Sequence, residues 1–393
     1  MRPFEHPSQA RRAFLESMLS ASAFVLAPTL ARGSTPSESS RDEGPLRRLT
    51  QRPANYESVR STFTTRITPM DRFYIRCHHD VPSIDVRNWK LNIAGMVKTP
   101  LSLSLSLDDL AKMKQVSVEA VLQCAGNGRA LFRPRVPGVQ WQRGAMGNAV
   151  WKGVPLRDLL LLAGHDLRAT SLHLLGADTS PLPSTPRFVR AIPIGKALHP
   201  DTIVAIEMNG ERLPLQHGAP ARLVVPGWVA DDWVKWLSSI TLRDAEPDGF
   251  FYQTAYRFPL APVEKGAAVS ADQMKPMSQL NVKSIIGSHE TGDVLRPGKQ
   301  QIIGVAFAGE SGVRSVDVTV DGGKTWNPAT LSSDRAPYGF ARFQFEWNAT
   351  LGRFRIASRA TDKNGVVQPE QPAWNPSGYL YNAIDPIEVE VRP

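Results

Sequence analysis

Val121-Leu122-Gln123-Cys124-Ala125-Gly126-Asn127-Gly128-Arg129 places a lone cysteine at the end of an apolar run and follows it at once with small residues and an arginine. Val118 to Leu122 reads as a buried strand, and Gly126 and Gly128 allow a sharp turn and a close approach of backbone to a bound group. A buried thiol acting as a small hydrophobe is the plain alternative. Three features point instead to a ligand: the thiol stands at a strand end, its loop is rich in glycine, and the Arg129 charge would favour a thiolate. A thiolate is a soft metal ligand.

Gln123 to Arg129 resembles the signature of the sulfite oxidase family, in which one cysteine binds the molybdenum of a pterin cofactor. The likeness runs from about residue 73 to the C-terminus. Arg72-Phe73-Tyr74-Ile75-Arg76-Cys77-His78-His79 reads by itself as an aromatic, β-branched strand ending in solvent-wetted polar groups. It is similar to the family's Arg-x-His segment, which implies that Arg76 faces an oxyanion and that His78, with flanking residues such as Tyr74, holds the pterin. Cys77 stands where family members often carry asparagine. Leu215-Gln216-His217-Gly218-Ala219-Pro220-Ala221-Arg222 matches the family's His-Gly-x-Pro-x-Arg run, and Trp233-Val234-Lys235-Trp236-Leu237 follows in the expected place. The resemblance implies that Arg222 and Lys235 provide charge for anionic dithiolene and phosphate groups. His217 would donate, Asp178 would accept from pterin nitrogens, and Trp233 and Val234 complete the cofactor set. It further implies Cys124 as the molybdenum ligand, Arg76 and Arg129 as holders of the substrate, Tyr256 as the active-site tyrosine and Trp141 as the tryptophan beside the substrate.

The chain has 393 residues, which favours two domains, and 46 Lys plus Arg against 37 Asp plus Glu. That excess favours anionic partners, while nucleic acid is disfavoured by the absence of a basic run with interleaved aromatics. Ala10-Arg11-Arg12-Ala13-Phe14-Leu15 precedes a run too short and too serine-rich to span a membrane, so residues 1–31 read as a twin-arginine signal peptide and the protein as periplasmic, exported folded. Residues 32–54 lack periodicity and read as a linker. Cys77 and Cys124 are the two cysteines, so there is no disulfide framework and no CxxCH motif for a haem on this chain. In an oxidising compartment the two could still pair with each other.

The expected fold class is α+β: a sulfite-oxidase-type molybdopterin-binding catalytic domain over 55–261, then an immunoglobulin-like β-sandwich over 262–393. Ser106 reads as the N-cap of a short helix, 155–163 as an amphipathic helix, and 141–151 as a loop with a tryptophan at each end. Beyond Pro262, alternating apolar positions at 313–320, 340–347, 353–360 and 387–391, with Asp321-Gly322-Gly323 as a hairpin turn, give the sandwich pattern. The resemblance makes this the family's dimerisation domain, hence a homodimer or a heterodimer with a haem subunit. One departure stands out: Trp374-Asn375-Pro376-Ser377-Gly378 has serine where sulfite-oxidising members carry a third substrate-facing arginine. The activity expected is molybdenum-dependent two-electron oxidation of sulfite or a related small oxyanion, with a c-type cytochrome as electron acceptor. An exported sulfoxide reductase on the same cofactor, and a non-enzymatic exported binding protein with Cys124 structural, are the alternatives.

Overall fold

The computed structural model describes residues 44–98, 102–180 and 182–393; the expected signal peptide and the linker up to residue 43 lie outside the described residues. Strand β1 (Leu46–Thr50) pairs antiparallel with β2 (Asn55–Ser58), which pairs with β3 (Ile75–Arg76). Thus an ordered strand falls inside the stretch expected to be linker. The Glu57 carboxylate is buried and takes Arg47 as its ion-pair partner, a tie that periodicity cannot reveal. The strand expected across 72–79 is also cut down to β3, because Met70–Arg72 closes a 3₁₀ turn.

Two sheets form the N-terminal core. One joins β6 (Val116–Gln123), β7 (Met146–Pro155), β10 (Ile203–Met208), β11 (Glu211–Arg212) and β12 (Arg222–Val224). The other has the order β5 (Ser102–Ser106), β4 (Lys90–Gly95), β13 (Leu237–Arg243), β8 (Ser171–Gly176), β9 (Val189–Pro193), with β4 and β13 parallel. β6 is buried without interruption from Ala120 to Gln123, and its ladder with β7 closes at Gln123↔Met146, one residue before Cys124. Trp151 lies within β7, so half of the expected 141–151 loop is strand. At Gly153 a side chain would strike the Val204 carbonyl oxygen at 2.0 Å, so the β7–β10 approach requires glycine.

Ser106 caps the helix Leu107–Lys112 in a reciprocal capping box with Asp109, worth about 1 kcal/mol. The helix Leu156–Ala163 buries Leu156, Leu159, Leu160 and Ala163, each leucine contributing about 2 kcal/mol, and ends on Gly164 in the left-handed region. Among the described residues no α-helix is longer than these eight residues, so the molecule is mostly β and far poorer in helix than the α+β expectation.

After a ribbon of β14 (Arg257–Pro259) and β15 (Met274–Pro276), two further sheets enclose a second core. The first orders β16 (Lys283–Ile286), β18 (Gly298–Phe307), β22 (Ala341–Ala349), β21 (Thr330–Leu331). The second orders β17 (Val294–Leu295), β24 (Ile387–Val391), β23 (Gly352–Asp362), β19 (Val313–Thr319), β20 (Asn327–Pro328). Ile302, Phe343, Val316, Ile356 and Val389 meet between them. Ile285, Val305, Phe307 and Phe340 instead point into the N-terminal core, where Phe340 meets Phe63 edge-on with ring centroids 6.4 Å apart. The two regions therefore share a packed boundary.

Candidate active site

Cys124 leaves the end of β6 with its N–H donating to the Ala145 carbonyl at 2.9 Å, while its own carbonyl accepts from Asn127 N–H at 2.9 Å. Asn127 also donates from Nδ2 to Gln123 Oε1 at 2.9 Å, which closes the turn on itself. Gly128 has φ 91, and a Cβ there would overlap the Tyr381 side chain at 2.5 to 2.8 Å. The loop is thus pressed against the C-terminal segment, whose Leu380 N–H donates to the Ala125 carbonyl at 2.9 Å. Arg129 belongs to this clamp: Nε donates to the Ser377 carbonyl at 2.9 Å, Nη1 donates to Val139 at 3.2 Å, and the guanidinium lies 5.1 Å from the Tyr379 ring centroid. Position 377 does meet the cysteine loop, but through its backbone.

Cys124, at the end of β6, lines a cleft. Tyr74, Arg76, His78, Asp178, His217, Arg222, Trp233, Val234, Lys235 and Tyr256 line it together with Cys124, so eleven of the thirteen residues expected from the sequence converge there. Arg129 and Trp141 are not in its lining. Arg129 is drawn beneath the loop by the carbonyls of 377 and 139, and Trp141 is fully buried behind Tyr74, edge-on at 6.3 Å.

Arg222 Nη1 and Nη2 each donate at 2.9 Å, to the His217 and Trp233 carbonyls, and the guanidinium lies between the Trp151 and Trp233 rings at 4.9 and 5.9 Å. Its Nε is buried with no partner. Lys235 Nζ donates to Gln216 O at 2.9 Å and to Cys77 Sγ at 3.2 Å, so the cysteine in the asparagine place accepts from the cofactor-side lysine. Cys77 and Cys124 are both free and buried. Arg76 Nη1 donates to Asn55 Oδ1 at 3.2 Å and also contacts the Cys77 carbonyl. His78 stacks on Phe188 with centroids 4.0 Å apart and hydrogen-bonds through Nε2 to the Tyr256 hydroxyl, while His79 Nδ1 sits 3.2 Å from Asp178. Of the four non-glycine residues with positive φ among the described residues, Trp236 and Tyr256 line this cleft, which places backbone strain where side chains converge.

Burial dominates the electrostatics. It pushes the Cys124 thiol up even though Arg76 and Arg129 pull it down, so the arginine charge foreseen as a thiolate stabiliser is outweighed. Burial and the Arg76 charge hold His78 well below the ordinary imidazole range, and burial with Lys235 and Arg222 brings His217 down to about 3, so both rings are neutral. Burial lowers Lys235, and lowers Arg222 to about 10. Tyr256 is raised by burial and stays a phenol.

Several contributors were not foreseen. Tyr379 stacks on Tyr256 at 5.5 Å and 12° between planes, and Phe188 walls the His78 side. Arg190 is fully buried, with Asp231 Oδ2 and Asp232 Oδ1 each 2.8 Å from its Nη2. Lys283, from β16, reaches Gln123 Oε1 at 3.4 Å and the Tyr381 carbonyl at 3.0 Å. An arginine inside the apolar β9 stretch and an Asp-Asp pair before Trp233 were visible signals of a buried ion cluster.

Among the described residues no group of three or more His, Cys, Asp or Glu side chains could hold a metal by itself. A metal met by a single thiolate must bring its remaining ligands with it. The wall of Arg222, Lys235 and Arg76, with the unpartnered Arg222 Nε, fits an anionic cofactor that does so. The site and fold define a molybdopterin oxidoreductase. Residues 78–251 match the oxidoreductase molybdopterin binding domain and 274–391 the Mo-co oxidoreductase dimerisation domain. The chain is 33% identical over 355 residues to sulfite oxidase of Arabidopsis thaliana, covering 84% of this chain and 89% of that one. It is 34% identical over 362 residues to mitochondrial sulfite oxidase of Rattus norvegicus, covering 88% of this chain and 66% of the relative. The chain therefore spans about two thirds of the mitochondrial relative's length. The crystal structure of the sulfane dehydrogenase SoxCD from Paracoccus pantotrophus superposes with a TM-score of 0.75 at 26% identity, covering 94% of each chain. This protein belongs to the sulfite oxidase family.

Proposed function

We propose that the protein catalyses the two-electron oxidation of sulfite, or a closely related small sulfur oxyanion, to sulfate, with water as the oxygen source and a c-type cytochrome taking the electrons one at a time. The observation that carries this reading is Cys124 lining the same cleft as Arg76, Tyr256 and the neutral His78. Bound molybdenum supplies the redox centre and the oxygen-transfer chemistry. Cys124 ligates it. Arg222, Lys235, His217, Asp178, Tyr74, Trp233 and Val234 hold the pterin, its dithiolene and its phosphate. Arg76 orients the oxyanion by charge-assisted hydrogen bonds, and the Tyr256 hydroxyl, held by His78, directs its proton toward an oxygen in the cleft. Tyr256 and Tyr379, stacked on each other, narrow the approach to the thiol.

The remaining expectations belong to the same proposal. The 262–393 region is an immunoglobulin-like dimerisation domain, supporting a homodimer or a heterodimer with a haem subunit. The chain is exported folded to the periplasm by a twin-arginine signal. No helix among the described residues is long and apolar enough to cross a membrane.

A second reading is favoured by the Arg129 clamp. With that guanidinium engaged by the Ser377 and Val139 carbonyls, the arginines lining the cleft are Arg76 and Arg222, and with Arg222 given to the cofactor Arg76 alone is left for the substrate, which suits a less charged sulfur substrate such as a sulfoxide undergoing reduction. Assays with sulfite plus oxidised cytochrome c, against methionine sulfoxide plus a reductant, separate the two. Turnover confined to the sulfoxide would overturn the first reading.

A further inference from the structure

Arg129, Tyr379, Tyr256 and Arg190 make a column of two phenol rings with a cation at each end. The Tyr256 and Tyr379 rings are stacked with centroids 5.5 Å apart and 12° between planes. The Arg129 guanidinium lies 5.1 Å from the Tyr379 centroid, and the Arg190 guanidinium lies 5.2 Å from the Tyr256 centroid. Both ends are fastened. Arg129 donates to the Ser377 and Val139 carbonyls, and Arg190, fully buried in β9, donates from Nε and Nη2 to Asp232 Oδ1 at 3.0 and 2.8 Å. Tyr379 is latched within its own segment: its N–H donates to Asn375 Oδ1 and its carbonyl accepts from Asn375 Nδ2, both at 2.9 Å. Asn375 is fully buried, and a buried network with its polar groups partnered is rigid. Tyr256 needs such a frame, because its φ of 57 is one that side chains other than glycine rarely take and that holds only where surrounding contacts impose it. Its hydroxyl is tied to His78 Nε2, and its carbonyl accepts from Met277 N–H at 3.0 Å. What these two ties leave free is the tilt of the ring between them, and that is what a stacked phenol and a cation restrict.

We propose that Tyr379 is a positioning residue for the reaction: its ring, pinned by Arg129 and by the Asn375 latch, holds the Tyr256 ring and so fixes where the Tyr256 hydroxyl points in the cleft. This inference rests on the oxyanion reading, in which that hydroxyl directs its proton toward an oxygen in the cleft. The hydroxyl is at the far end of the ring, so a tilt of the ring displaces it, and a displacement of about 1 Å at a reacting group costs about a hundredfold in rate. Tyr256 is part of the cleft lining, whereas Tyr379 stands behind it and acts through Tyr256. The segment that carries Ser377 in the place of a third substrate arginine thus serves the site two residues further on, by a ring in place of a charge.

The test is a double-mutant cycle on molybdenum-loaded protein, read by sulfite turnover and by ¹⁹F resonance of 3-fluorotyrosine. The chain has seven tyrosines, and the line of residue 256 is the one that Tyr256→Phe removes. Tyr379→Leu should lower kcat for sulfite about tenfold at unchanged molybdenum content, and should shift or broaden the Tyr256 line. In the Tyr256→Phe background the same leucine should change kcat less than about twofold, since no hydroxyl is left to misplace. Tyr379→Phe, which keeps the ring, should restore both readouts. Tyr379→Met, which fills the space without a ring, answers the same question where the leucine variant does not fold. Equal losses with and without the Tyr256 hydroxyl, an unmoved Tyr256 line, or normal sulfite turnover in Tyr256→Phe would each overturn the proposal. Absence of sulfite turnover in wild-type protein whose Tyr256 line does move in Tyr379→Leu would instead overturn the sulfite assignment alone.

Discussion

Replacing Arg129 by Gln removes two charge-assisted hydrogen bonds, to Ser377 O at 2.9 Å and Val139 O at 3.2 Å, and a cation over the Tyr379 ring. Each such hydrogen bond is worth about 1.5 to 3 kcal/mol and the ring contact about 1 kcal/mol. Relief of the desolvated guanidinium offsets part of this, so a local loss of about 3 kcal/mol is expected, or roughly a hundredfold in the opening equilibrium. Amide hydrogen exchange reads that quantity segment by segment. Protection of 124–131 and of Leu380, whose N–H is bonded to Ala125 O, should fall about a hundredfold, while the β18–β22 ladder is unchanged. Unaltered exchange in both segments together with a steep rise in the sulfite Michaelis constant would refute the clamp and return Arg129 to the substrate.

Arg76→Gln should raise the Michaelis constant for sulfite about tenfold to a hundredfold with molybdenum content near normal, because a charge-assisted bond to the oxyanion is lost; unchanged sulfite dependence in metal-replete protein would move the sulfoxide reading ahead. Burial lowers Lys283 to about 7, below its unfolded value, so the unfolded chain binds more protons between that pH and about 10.5 and wild-type stability should rise with pH in that window by about 1.4 kcal/mol per unit from this group. Lys283→Met should lack that rise, which urea midpoints across the window will show; parallel slopes for the two proteins would contradict it. Gly153→Ala sets a methyl against the Val204 carbonyl and should destabilise by about 1 to 3 kcal/mol, measurable as a lower urea midpoint with the same slope.

What the sequence made legible was whatever is written locally. The β6 run and its cysteine loop, the Ser106 capping box, the helix ending at Gly164 and the strands from Val313 onward each carry their periodicity or cap in a few contiguous residues. The cleft residues were legible as well, because family motifs hold them in register. Hidden were the contacts made by residues far apart in the chain. Glu57 with Arg47 orders a strand where composition read linker. Ser377 O turns Arg129 under the loop across 248 positions of sequence, and Lys283 joins the C-terminal region to Gln123 across 160. The depth of Trp141 was hidden for a similar reason: a tryptophan near a pocket is as readily packed behind its wall as exposed in it, and Tyr74 occupies the wall.

The central claim is that Cys124 is the protein's ligand to molybdenum. X-ray absorption at the molybdenum edge, on protein made in a host that produces the pterin cofactor, tests it most directly. The wild type should show one more sulfur neighbour than Cys124→Ser at equal metal and pterin content, and the serine variant should have no sulfite turnover. An identical sulfur count in the two proteins, or a metal-replete serine variant of normal activity, would contradict the account.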